Sequence, residues 1–298
     1  MRDGLVVVDK PAGWTSHDVV GKSRKIYGQR RVGHAGTLDP DATGVLLVGL
    51  GRVTRLMRFL QDVGKEYRGR IVFGVATDTL DAAGAVLERA EMTLTRDQVE
   101  TAALAFVGDI EQVPPMVSAL KVGGRKLYEL ARAGEEVERA PRPVRIDELE
   151  VEEFVPGPYP EAVVRVVCSS GTYIRSLAAD MGTALGGCAH LGSLRRLRVG
   201  SFSIDEARTL EEIEADPDGA LTTPAEALRF LERVVISDPE QTRAVGHGAT
   251  FAASALLRPD AGAGPFAVVD DAGALLAVYE RRGGGVKPAV VLVTETVS

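Results

Sequence analysis

Residues 33–44 read Gly33-His34-Ala35-Gly36-Thr37-Leu38-Asp39-Pro40-Asp41-Ala42-Thr43-Gly44. Three glycines and a proline in this span punctuate the chain too densely for regular structure. The apolar run that follows, 45–48, reads as a core strand. Pro40 biases Asp39 away from the helical region toward an extended backbone, and the flanking glycines let a ligand approach the main chain. The chain must therefore hold a carboxylate on a tight, accessible loop between core strands. A carboxylate so placed can attack an electrophilic carbon, as in glycosidic chemistry. Asp-Pro with glycine is also ordinary turn chemistry, so the loop alone assigns no activity.

Hydrophobic periodicity around this loop alternates between strand and helix. Residues 4–9, 67–75, 144–154, 162–168 and 196–202 read as strands. Helices are expected from Ser16, as cap, to about Tyr27, and over 54–61, 95–106 and 173–185. Residues 114–143 are polar, basic and broken by Gly and Pro, with one helical piece at 126–133. That is too long for a plain connection, which points to a functional or mobile segment. After Leu231 the texture changes. Short apolar runs at 266–269, 275–278 and 289–293 sit between Gly- and Pro-rich turns, as in a small β-rich domain near the lower size limit for a folding unit. The domains expected are 1–231 and 232–298.

The formal net charge of -7 argues, taken alone, against a nucleic-acid protein. The average hides three basic runs: Lys22, Arg24, Lys25, Arg30 and Arg31; Lys121, Arg125, Lys126, Arg132, Arg139, Arg142 and Arg145; and Arg195, Arg196 and Arg198. A basic face on an acidic protein is still an electrostatic footprint, although a single such run is usually a solvated face. No apolar run nears the ~20 residues that span a bilayer, and the patch at 5–8 is too short for a signal peptide. A cytoplasmic chain is expected, with Cys168 and Cys188 as buried thiols. The four histidines, His17, His34, His190 and His247, lack metal-ligand spacing, and no metal is expected.

Two further strings imitate nucleotide sites. Ser16-His17-Asp18-Val19-Val20-Gly21-Lys22-Ser23 lacks the first glycine of a phosphate-binding loop and puts its lysine inside the expected helix. Gly49-Leu50-Gly51 lacks the third glycine of a dinucleotide fingerprint. Asp39 and Asp41 are too close along one loop to flank a sugar as a glycosidase pair.

The loop at 33–44 resembles the signature of the TruB family, the bacterial tRNA pseudouridine-55 synthases, Gly-His-x-Gly-x-Leu-Asp-Pro-x-Ala-x-Gly, at every fixed position. Other stretches resemble the same family in order. They are Asp9-Lys10-Pro11-x-Gly13-x-x-Ser16, Lys65-x-Tyr67, Thr77-Asp78-Thr79-x-Asp81, Pro114-Pro115-x-x-Ser118-Ala119-x-Lys121, Gly124-x-x-x-Tyr128, Gly171-Thr172-Tyr173-Ile174-Arg175-Ser176-Leu177 and Leu194-Arg195-Arg196. Together they cover about residues 4–203.

The resemblance implies an α/β (α+β) catalytic domain on a largely antiparallel mixed sheet flanked by helices, and a small PUA-like RNA-binding domain at 232–298. It makes 114–143 a thumb-like RNA-gripping insertion, expected to be mobile without RNA. Asp39 corresponds to the nucleophile, Tyr67 to the aromatic that stacks on the target uracil, and Arg175 to the partner of the carboxylate. Tyr173 and Leu194 correspond to lining residues of the base pocket, and His34 to a residue beside the extruded nucleotide. Lys10, in the opening motif, joins them as a substrate-side residue. Without the resemblance, Tyr67 and Leu194 would be core residues and Arg175 a surface cation.

The implied substrate is uridine 55 in the T stem-loop of tRNA. The implied reaction breaks the bond from ribose C1′ to uracil N1 and rejoins the base through C5. No redox step occurs, so no cofactor is expected, nor an obligatory protein partner; a monomer is expected. The carboxylate can add to C6 of the base or attack C1′ of the ribose. It must be ionised while shielded from water, and an adjacent Arg175 would favour the ionised form. A non-catalytic RNA-binding or RNA-folding protein is the alternative, and it would not need the trio Asp39, Tyr67 and Arg175.

Overall fold

The structure is a computed structural model that describes residues 2–118, 120–122, 124–127, 130, 135 and 137–292. Among the described residues, thirteen strands precede residue 204: β1 (Gly4–Lys10), β2 (Val32–Ala35), β3 (Thr43–Leu50), β4 (Lys65–Phe73), β5 (Val75–Thr77), β6 (Val86–Arg89), β7 (Gly108–Gln112), β8 (Lys121–Val122), β9 (Arg125–Lys126), β10 (Arg142–Val155), β11 (Glu161–Cys168), β12 (Ala189–Val199) and β13 (Phe202–Ser203). Nine of them form one sheet in the order β1-β3-β12-β4-β11-β10-β7, with β2 also on β3 and β13 on β12.

Every pairing in this sheet is antiparallel except one. β12 runs parallel to β3, through Arg195 opposite Thr43 and Arg196 opposite Gly44. The two antiparallel halves meet at this junction, and β3 enters it directly from the glycine-rich loop. Gly44 has φ +100°, and a Cβ there would stand 2.2 Å from the Arg196 carbonyl oxygen. Backbone strain and overpacking then act together, so Gly44→Ala is expected to cost about 3 kcal/mol or more. An unchanged thermal midpoint in that variant would refute the account.

Each half buries a different core. In β4 the burial alternates along the strand, as a sheet covered on one face requires. Over it lie Leu177, Ala178 and Met181 of the helix Ile174–Ala184, with Val99 and Ala103 of the helix Arg96–Leu104. On the other half, Val19, Val20 and Tyr27 of the helix Ser16–Tyr27 cover Val6, Val8, Leu46 and Val48.

A second sheet begins at Glu232. It contains β14 (Glu232–Ile236), β15 (Phe251–Ala252), β16 (Phe266–Asp270), β17 (Leu275–Arg282) and β18 (Gly285–Val291), in the order β14-β16-β17-β18-β15. Its Val269, Leu275, Val278 and Val290 share one buried cluster with Leu5, Val45, Leu47 and Leu60, so the two sheets pack through a common apolar layer. Among the described residues, no helix is long and apolar enough to cross a membrane.

Several local expectations are corrected. Thr15, not Ser16, caps the first helix, in a capping box with Asp18. Ser16 is instead buried and bonds the main chain at Leu38. Residues 32–35 are a strand despite the neighbouring glycines, because they pair with β3. The strand expected at 67–75 breaks at Gly74, whose φ is +81°. The strand expected at 196–202 is β12, which starts at Ala189, seven residues before the expected start at Arg196, and ends at Val199. β14 and the helix Pro239–Gly246 stand where the sequence reading places no element. Most of the helix expected at 126–133 lies outside the described residues, as do Ala119, Tyr128 and Val293.

Candidate active site

The loop between β2 and β3 carries Asp39, and three buried polar side chains fix its main chain. Lys10 is fully buried, and its Nζ donates to the carbonyls of Pro11, Trp14 and Pro40 at 2.9, 2.6 and 2.8 Å. Ser16 accepts from the Leu38 N–H at 2.9 Å. Arg196, 1% exposed, donates to the carbonyls of Val45, Gly36 and Thr37 at 2.7, 3.0 and 3.5 Å. A main chain with this many charge-assisted bonds holds its side chain in a defined place. Burial lowers the Lys10 pKa to about 8, against the pull of Asp41 and Asp39. Three carbonyl acceptors at these distances are satisfied by the ammonium form, which is the form the geometry favours.

Asp39 projects from this loop toward Arg175, the second residue of the helix Ile174–Ala184. The guanidinium meets the carboxylate at 3.1 Å from Nε and 3.4 Å from Nη2. Arg175 is buried and also donates to Asp81 at 3.3 Å, to the Thr79 carbonyl at 3.1 Å and to the Val117 carbonyl at 2.8 Å. Thr79 and Asp81 flank Leu80, whose φ of +62° makes it the one non-glycine residue at positive φ among the described residues. A bulky side chain in that region is strained. The strain aims a carbonyl and a carboxylate at the same guanidinium. Gln112 and Ser176 bind the start of this helix to the strand edge at β7, through Tyr173 and Val113.

Tyr67 lies in β4, opposite Arg196 of β12 and Val166 of β11. Asp39, Tyr67 and Arg175 line one cleft of about 570 Å³, together with His34, Tyr173 and Leu194. Of the residues singled out from sequence, Lys10 alone does not line it; it sits behind the loop and holds it. Lys65, Arg196 and Leu120 also line the cleft and were not assigned there by sequence reasoning.

Electrostatics follow from this packing. Burial raises the Asp39 pKa above the ordinary carboxylate value; Arg175 and Lys10 pull it down, while Asp81 and Asp41 push it up. Of these opposing effects, crowding by protein is the largest and the guanidinium comes second. Although 45% of the side chain is open to water, that opening is the mouth of the cleft. Burial also raises the Tyr67 phenol, so it keeps its proton at neutral pH and presents a neutral ring. It lowers the Lys65 ammonium to about 8, with Arg196 adding to the effect. His34 is held below its ordinary pKa by burial, then by Arg196 and His17, and its Nδ1 is buried without a hydrogen-bond partner among the described residues. Among the described residues, no three or more His, Cys, Asp or Glu side chains gather as a metal centre.

The basic runs resolve differently from a uniform cationic face. Arg195 pairs with Asp9 at 2.7 Å, Arg198 pairs with Glu66, and Arg196 is internal. The third run is therefore structural. The buried Arg196 could have been suspected from its neighbours, since it follows Leu194 on a strand of the central sheet. Two register shifts in β12 hide the alternation that would have shown it.

Residues 24–174 match the model of the TruB family pseudouridylate synthase N-terminal domain, and residues 175–235 that of the tRNA pseudouridylate synthase B C-terminal domain. The chain is 43% identical to the tRNA pseudouridine synthase B of Thermobifida fusca over 98% of its own length and 99% of the relative. It is 51% identical to the enzyme of the same name from Symbiobacterium thermophilum, over 83% of this chain and 82% of that one. A solved structure of an H/ACA ribonucleoprotein bound to a substrate RNA containing 2′-deoxyuridine superposes with a TM-score of 0.74 and 26% identity, over 97% of this chain and 85% of that one. The family model spans the loop of Asp39, the strand of Tyr67 and the turn that leads into Arg175, and identity runs nearly end to end: the chain belongs to the TruB family of pseudouridylate synthases.

Proposed function

We propose that this chain converts uridine 55 in the T arm of tRNA to pseudouridine, with Asp39 as the nucleophile. The observation that carries the reading is the ion pair between Asp39 and a buried Arg175 at 3.1 Å, inside a cleft that also holds Tyr67. A protein that only binds RNA has no use for a carboxylate crowded by protein and balanced by a buried cation, because both cost desolvation.

The target base leaves its stack to reach the cleft, at a cost of a few kcal/mol. Stacking on the Tyr67 ring offsets about 1–3 kcal/mol of this. Asp39 then attacks, at C6 of uracil or C1′ of ribose; the C1′–N1 bond breaks, the base turns, C5 bonds to C1′, the bond to Asp39 breaks to restore the carboxylate, and the C5 proton departs to water while N1 takes one up. Tyr173 and Leu194 bound the base pocket, and His34 lies beside the extruded nucleotide. Residues 1–231 form the catalytic unit, 114–143 grip the RNA like a thumb, and 232–298 act as a PUA-like RNA-binding domain. The protein works as a cytoplasmic monomer.

The test is a T-arm transcript tritiated at uracil C5. Release of tritium from the transcript with uridine at position 55, and none when cytidine replaces it, is the expected outcome. Tight binding without release would leave an RNA-binding protein and overturn the proposal.

A further inference from the structure

A second concavity of about 450 Å³ runs along the chain's first helix and the turn before it. Its walls are Trp14, His17, Lys22 and Lys25, and its floor includes Gly13 and Gly21. Trp14 is exposed, and among the described residues no ring or guanidinium stacks on it. Lys25 is exposed and has no ion-pair partner among the described residues, whereas Lys22 is bonded to Glu214 at 2.6 Å. The one carboxylate facing the concavity, Asp18, is turned into the helix cap, where it accepts from Thr15 N–H and Oγ.

Gly21 is the informative residue. It lies mid-helix, where glycine costs stability relative to alanine. A Cβ built there meets nothing within 4 Å, so no packing inside the protein calls for a missing side chain. The glycine leaves this stretch of the groove open to something outside the chain. The same string, Gly21-Lys22-Ser23, imitates a phosphate-binding loop in sequence but is helical, so nucleoside triphosphate binding does not explain it.

The concavity is continuous with the catalytic loop. Gly13 N–H donates to the Pro40 carbonyl at 3.0 Å, Lys10 bridges the carbonyls of Trp14 and Pro40, and Ser16 bonds Leu38. Whatever occupies the groove therefore lies next to whatever is bound at Asp39.

We propose that this groove is a second nucleotide subsite, taking an unpaired nucleotide that flanks the target uridine, with its base stacked on Trp14 and its phosphate at Lys25. An aromatic face with an adjacent unpaired cation is the chemistry that holds single-stranded RNA. The inference rests on the reading of the cleft as an RNA site and extends it along the strand.

Trp14 is the chain's single tryptophan, so its fluorescence reports this groove alone. Titrating the full-length protein with T-arm transcript should quench that emission. In a series of transcripts each carrying one abasic residue, a position next to the target should bind with the quenching lost. Trp14→Leu should raise the Kd for intact RNA about 5- to 140-fold, the range that stacking of one base supports. It should add no further penalty on that abasic transcript. Gly21→Leu, which fills the floor, should weaken binding while leaving the thermal midpoint at or above that of the parent. Tight binding with unchanged Trp14 emission, or equal penalties from Trp14→Leu on every transcript, would overturn the subsite. Tritium release by the parent protein in the same samples keeps that outcome separate from a failure of the catalytic reading.

Discussion

Asp39→Asn is expected to abolish tritium release from T-arm RNA, by about four orders of magnitude or more, while RNA binding stays within a few-fold of the parent. Loss of a covalent nucleophile has effects of this order because no neighbour can take its place. Asp41 cannot substitute, since it does not line the cleft. The cleft itself should survive, because Arg175 keeps Asp81 and the carbonyls of Thr79 and Val117. Stability provides an independent check. Burial raises the Asp39 pKa, so between its unfolded and folded values the folded chain binds more protons than the unfolded one. Stability then falls as pH rises through that window. Removing the charge should raise the thermal midpoint at neutral pH, and the gain should vanish below the ordinary carboxylate range, where both states are protonated. Product formation by Asp39→Asn, or a loss of midpoint at pH 7, would refute the assignment.

The sequence made the position of Asp39 legible because glycine, proline and the following apolar run act locally. Loop and strand are set by residues that touch each other along the chain. The partners were harder to see. Arg175 and Tyr67 lie 136 and 28 residues from Asp39, and only the family motifs linked them to it in advance. Asp81 stood inside one of those motifs, but nothing local marks it as the second carboxylate on Arg175. That role comes from a strained turn at Leu80 and the fold of the sheet. Lys10 and Arg196 show the opposite error. Lys10 was read as a substrate-side residue and Arg196 as one of a basic run, because charged residues are rarely fully buried. Here each is buried to serve main-chain carbonyls of the Asp39 loop, which a glycine-rich segment leaves without regular partners. The parallel junction between β3 and β12 was equally out of reach, since strand pairing across some 150 residues leaves no period in the sequence.

Arg175 and Asp81 act on Asp39 with opposite sign, and this makes a paired prediction. In Arg175→Met the cleft keeps two facing carboxylates and loses their shared cation. Like charges without a cation favour the protonated form, so the acid limb of the turnover–pH profile should move to higher pH. Asp81→Asn removes a like charge, so its acid limb should move to lower pH. At neutral pH, Arg175→Met should lower turnover by about two orders of magnitude or more, as expected when a preorganised cation is taken from the reacting group. It should also cost about 3 kcal/mol of stability, because the Thr79 and Val117 carbonyls and the Asp81 carboxylate lose a buried donor. Asp81→Asn keeps a hydrogen-bonding side chain there and should cost less. A guanidinium that merely filled space would leave both profiles where the parent's lies. Shifts of the same sign would show that the two side chains act through the shape of the cleft, whereas opposite shifts follow only if charge at Asp39 is what they control.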